Sequence, residues 1–175
     1  MGLFGRPNVE RLRRKRDVHR LIEAMSHDDP QIRTAAIEAL SALRELAVPA
    51  LLEAARDRGS RLRVEALRAV DRAIAAGTGD LAPDLLQDVS ACCLAVLQSD
   101  GGAAASLAAS VLAALGDRSA IAPLGEALKR RGAVEGAARA LGKLGTADAA
   151  AHLVEALNRH REDFRLRSVT EESLG

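Results

Sequence analysis

An all-α chain, an α-α superhelix of stacked helical pairs, is what this sequence predicts, and three observations carry that expectation. Apolar residues recur at helical spacing in one short segment after another. The same helical pair returns at a near-constant interval, the mark of a repeat architecture. β-Branched residues are sparse and no apolar runs alternate at period two, so no sheet is expected.

The clearest copy of the pair is residues 17–43. Val18, Leu21, Ile22 and Met25 fall at i, i+3, i+4 and i+7 on one helix face, and Asp17 supplies the N-cap. His27-Asp28-Asp29-Pro30 interrupts it: Asp29 accepts the first free N–H groups of the next helix, and Pro30 suits its first turn. The second stripe is Ile32, Ala35, Ala36, Ala39, Leu40 and Leu43, with Gln31, Thr34, Glu38 and Ser41 pointing elsewhere. Two helices cannot bury both stripes by themselves, so the pair must stack on copies. With Val18 as the marker, the copies begin at Val48, Val89, Ile121 and Ala150, at steps of 30, 41, 32 and 29 residues. The first-helix cores align as Val48/Leu51/Leu52, Val89/Cys92/Cys93, Ile121/Leu124/Gly125 and Ala150/Leu153/Val154. Second helices are expected over 32–43, 62–73, 104–115 and 133–144.

The remaining elements follow in chain order. Asn8 caps a short helix over 9–16, whose Val9 and Leu12 close the exposed face of the first pair. Gly59-Ser60 marks the turn inside the second pair, and Pro49 fits the first turn of its first helix. Gly77-Thr78-Gly79-Asp80 ends that pair and opens a ten-residue excess, the best candidate for a kink or small domain boundary. Asp80 or Pro83 starts the next helix, to about Gln98, with Cys92 and Cys93 in the core. Residues 101–115 carry few side chains larger than Ser, which predicts unusually close helix packing on both sides; the competing reading is that this small face is where another chain lies down. Gly142 and Gly145 end the fourth pair, and the fifth has one clear helix, 147–159. The expected division is a basic segment with capping helix (1–16), repeats (17–160) and a cap or frayed tail (161–175).

The pair marked by Asp28-Asp29, Ile32-Arg33, Ala35-Ala36 and Ala39-Leu40 resembles a HEAT-like repeat, and the opening Phe4-Gly5-Arg6-Pro7-Asn8-Val9-Glu10-Arg11-Leu12 resembles the start of small prokaryotic HEAT-like proteins, the PBS-lyase HEAT-like repeat family among them. The resemblance covers about residues 4 to 160. It implies a HEAT-like solenoid of about four and a half pairs, and a scaffold role, since most such proteins are scaffolds and a few are enzymes. It also implies a ladder of Asp–Arg contacts between successive loops. The position of Arg33 is Arg63 in the second repeat but Ala105 and Val134 later, so no arginine continues the ladder there.

Composition limits the function classes. Formal charge is +1 over 175 residues, without a general pull toward nucleic acid or acidic membranes. Residues 1–20 nevertheless hold seven basic against two acidic side chains, +5, leaving −4 for the rest. Arg11, Arg13, Arg14, Lys15 and Arg16 are therefore candidates for an anionic-surface contact, a secondary reading behind the capping role. Met1-Gly2 begins like a myristoylation site, but Arg6 stands where Ser or Thr is wanted. Neither a signal peptide nor a membrane span is expected, the two cysteines are expected reduced, and the cytoplasm is the default compartment.

No chemistry-bearing motif emerges. His19, His27, His152 and His160 show no i, i+4 metal pair, and Cys92-Cys93 lacks a second pair, so neither a metal nor a cofactor is expected. HEAT-like di-iron hydroxylases use repeated His-Glu dipeptides; here Arg20, Asp28, Leu153 and Arg161 follow the histidines. There is no Gly-x-Ser-x-Gly elbow and no phosphate loop, so no catalytic residue is assigned. HEAT-like DNA glycosylases would need stacking surfaces, and the chain has neither Trp nor Tyr, which also disfavours nucleic acid as a partner. The expectation is a non-enzymatic scaffold binding another protein on a concave face lined by second helices: Gln31, Thr34 and Glu38; Arg61, Arg68 and Asp71; Ser106 and Ser110; Glu135 and Arg139. The alternatives are an accessory to a lyase-like or chaperone-like complex and a membrane-surface adaptor. The partner's identity and any homo-oligomer are left open by the sequence.

Overall fold

The computed structural model describes residues 7–130, 132–159, 168 and 171–173. Among them the regular structure is helical, with no strand. The chain divides into two compact units, Met1–Leu85 and Leu86–Gly175.

The first unit holds α1 (Val9–Arg14), α2 (Val18–Ala24), α3 (Pro30–Leu43), α4 (Val48–Arg56) and α5 (Arg63–Ala75). Side-chain caps start the first three: Asn8 accepts from Arg11 N at 2.9 Å, Asp17 from Arg20 N at 3.2 Å, and Asp29 from Gln31 N at 2.9 Å. Helix α1 stops at Arg14 rather than continuing to residue 16, because Arg16 adopts φ +54 and turns the chain into α2. Helix α2 packs on α3, α3 on α5, and α4 on α5, while α1 leans on both α2 and α3. Leu21, Met25, Leu40, Leu51, Leu52 and Leu67 are sealed in this core. Each fully buried side chain of that size contributes about 1.5–3 kcal/mol. Val18, the repeat marker, is only half-buried, unlike its counterparts Val48 and Val89.

Helix α6 (Pro83–Ser99) begins just before the second unit and lies mostly within it, followed by α7 (Gly102–Leu115), α8 (Ile121–Ala127), α9 (Val134–Leu144) and α10 (Ala147–Arg159). Helix α9 is the hub, packing on α7, α8 and α10. Leu97, Leu112, Leu124, Leu128, Leu141 and Leu153 fill the interior, and Cys92 and Cys93 occupy buried core positions of α6. With 1% aromatic residues, the cores of both units are aliphatic.

Small residues set the spacing within the second unit. A Cβ on Gly136 of α9 would lie 2.6 Å from Ser106 Cα of α7, so these helices touch backbone to backbone. A Cβ on Gly125 of α8 would lie 2.4 Å from His152 Nδ1, because the imidazole of α10 rests in the gap that the glycine leaves. In α10 the buried face is Ala149, Leu153 and Ala156, which keeps the expected Leu153 but replaces Ala150 and Val154 with Ala149 and Ala156. Val154 is 48% exposed, since the α10 face that meets α8 and α9 is the one bearing Leu153. The tail expected over 161–175 lies largely outside the described residues.

Candidate interaction surface

Arginines reaching the carbonyl ends of helices hold the second helices in place. The last carbonyls of a helix lack intrahelical partners and carry the negative end of its dipole, so a guanidinium there satisfies both. Arg33 Nη1 donates to His27 O at 2.8 Å and Asp28 O at 2.9 Å, tying α3 to the loop that follows α2. Arg63, only 7% exposed, repeats the device by donating to Arg56 O of α4 at 3.2 Å. In the second unit the third and fourth repeats have no arginine at this position, and the loop before α9 supplies one instead. Arg130 donates to Gln98 O at 3.0 Å, to Asp100 O at 3.2 Å and to Leu97 O. Gly102 N donates to Gly132 O at 2.8 Å beside it, so the two inter-helix loops are joined by main chain as well. Arg44, after α3, donates to Gly77 O and pairs with Asp80 at 3.2 Å.

Asp117 performs the same tethering with opposite charge. It accepts from Ser119 Oγ at 2.6 Å, from Ser119 N at 2.9 Å and from Ser90 Oγ of α6. Burial pushes its carboxyl up, but these hydrogen bonds together outweigh burial and hold it below the ordinary 3.8.

In the first unit, Gln31, Thr34 and Glu38 are exposed on α3, Arg68 is exposed on α5, Asp71 is half-buried and Arg61 lies in the turn before α5. Glu38 Oε1 meets Arg72 Nη1 at 3.5 Å across the two helices, and Arg68 Nε meets Glu65 Oε2 at 3.1 Å. This face is a charge-mixed ridge on which Glu38 and Arg72, and Glu65 and Arg68, neutralise one another.

The second unit is different. Ser106, Ser110 and Ala113 of α7 and Glu135, Gly136, Arg139, Ala140 and Lys143 of α9 enclose an open groove of about 360 Å³. Four of the ten residues expected from the repeat pattern, Ser106, Ser110, Glu135 and Arg139, thus converge on one feature; the other six belong to the first unit. The α7 wall carries no charge. On the α9 wall Glu135 and Arg139 pair at 2.9 Å, while Lys143 has no ion-pair partner among the described residues. Ala113, Gly136, Ala140 and Lys143 line the groove without belonging to the expected set. Lys143 stands one turn beyond Arg139 on the same stripe, so the spacing already pointed to it.

At the other end of the chain Arg11, Arg13, Arg14, Lys15 and Arg16 are all exposed. Among the described residues no group of three or more His, Cys, Asp or Glu is gathered as a metal site, and no helix is long and apolar enough to cross a membrane.

Comparison with known proteins places these features in a class. The family model described as HEAT repeats matches residues 92–175. No curated protein matches. Among solved structures, the engineered protein designated target OR329 is 18% identical over 95% of this chain and 81% of its own, with TM-score 0.57. Engineered target OR366 is 20% identical over 97% and 85%, with TM-score 0.55. A designed armadillo repeat protein in complex with the peptide (KR)4 is 14% identical over 98% and 87%, with TM-score 0.54. At such identities the likeness shows the fold, and the class it defines is the helical-repeat solenoid. Within that class, residues 92–175 are similar to HEAT repeats. HEAT and armadillo-like repeats generally serve as protein-interaction scaffolds, and the fold is typically non-enzymatic.

Proposed function

We propose that this protein is a non-enzymatic scaffold that receives a segment of another protein on the exposed faces of its second helices, chiefly in the α7–α9 groove. The observation behind this reading is the convergence of Ser106, Ser110, Glu135 and Arg139, selected by repeat spacing alone, on one open groove of about 360 Å³. Its floor is low because α7 and α9 meet at Gly136 and Ser106, which lets a bound backbone approach the helices closely. The rim supplies hydrogen-bonding serines and both signs of charge, the polar surround expected around a peptide seat. The armadillo relative, captured with the peptide (KR)4, supports peptide capture as a use for this kind of fold.

Selection of peptides from a displayed library against the full chain tests the reading. Selected peptides should lose binding by about tenfold or more when Arg139→Glu and Lys143→Glu are combined, the loss typical of removing a central contact. A parallel Arg68→Glu variant reports on the first-unit ridge. Peptides indifferent to Arg139 and Lys143 would remove the groove from consideration.

A further inference from the structure

We infer that the corner formed by α1 and the start of α2 is a contact for an anionic lipid surface. Residues 8–20 carry six basic against two acidic side chains. The two carboxylates are already engaged: Glu10 is shared by Arg13 at 3.7 Å and Arg14 at 3.6 Å, and Asp17 faces Arg20 at 3.7 Å. Arg11, Lys15 and Arg16 are exposed and have no ion-pair partner among the described residues.

Structure alone does not ask for so many cations. The carbonyl end of a six-residue helix is complemented by one or two, and the effect fades within a turn. Val9 and Leu12 are half-buried as α1 packs on α2 and α3, so the face turned outward is cationic and holds no large apolar side chain. A charged bilayer asks for density of cations rather than for a shaped recognition element, and clustered Lys and Arg are what such a surface attracts. A duplex reader would need a helix or arm free to enter a groove, and a single-strand binder would need aromatic stacking; residues 8–20 contain no aromatic. The −4 carried by residues 21–175 adds orientation, since an anionic plane draws in the α1 corner and repels the rest. This inference is independent of the groove.

The test is co-sedimentation of the full chain with phosphatidylcholine vesicles, with and without phosphatidylserine, at low and high salt. The chain should pellet only with the anionic vesicles and be released by salt, because the attraction is screened within a Debye length. Combining Arg11→Gln, Lys15→Gln and Arg16→Gln should lower the partition coefficient by about tenfold or more, with helix content by circular dichroism unchanged. Equal partition of parent and variant, equal pelleting with neutral vesicles, or tighter binding to duplex DNA or to an acidic polypeptide than to anionic vesicles would each overturn the proposal.

Discussion

Asp117 illustrates how one side chain joins two helices. Its carboxylate gathers both polar groups of Ser119 and the hydroxyl of Ser90, and only the ionised form can accept them all. Because its folded-state pKa is depressed, the stabilisation is present above the ordinary value of 3.8 and is lost as pH falls through the lower folded value. Asp117→Asn should therefore be less stable than the parent at neutral pH. The gap should narrow below about pH 4, as followed by urea midpoints at a series of pH values; a gap independent of pH would remove ionisation from the explanation. In the sequence, an aspartate directly after Gly116 signals no more than the end of a helix. Its serine partner lies 27 residues away, a distance that local pattern cannot bridge.

At the level of elements, the helices themselves were plain in the chain. Caps at Asn8, Asp17 and Asp29 and the spacing of Leu and Ala residues set their positions, because those cues are local. The arginine tethers were less legible. Aligning repeats on Arg33 led to Ala105 and Val134, whereas the structure supplies Arg130 from the loop, where no repeat register applies. Likewise α10 buries Ala149 and Ala156 beside Leu153, in place of the aligned Ala150 and Val154, because packing on α8 and α9 selects its buried face. For the interaction surface, the pattern separates outward-facing positions from core ones, although it lists Asp71 and Ser106, which are half-buried, and it does not say which pair of helices leaves a groove. That depends on Gly136 meeting Ser106, a tertiary event. Arg130→Lys should destabilise the second unit by about 1.5–3 kcal/mol, since an ammonium on a flexible stem cannot reproduce a planar fork that serves three carbonyls. Chemical denaturation reads this directly, and an unchanged midpoint would show the tether to be ornamental.

Over the whole molecule, stability in a repeat architecture is a sum of neighbouring contacts, so damage is felt close to where it is made. Gly136→Ala sets a helix-propensity gain of about 1 kcal/mol against overpacking of about 1–3 kcal/mol. Backbone of α7, rather than a yielding side chain tip, opposes the new methyl, and the net should be destabilising. Hydrogen exchange of the full chain should quicken most in α7 and α9, then in α8 and α10, with the first unit least affected. Uniform acceleration would instead reveal a single cooperative block. The aliphatic interior brings a practical gift to such experiments. With neither Trp nor Tyr, the protein is nearly dark in near-ultraviolet absorbance and emits no indole fluorescence. In a mixture, every photon collected from tryptophan would come from whatever has docked, so a ligand's own emission could report its capture without any label.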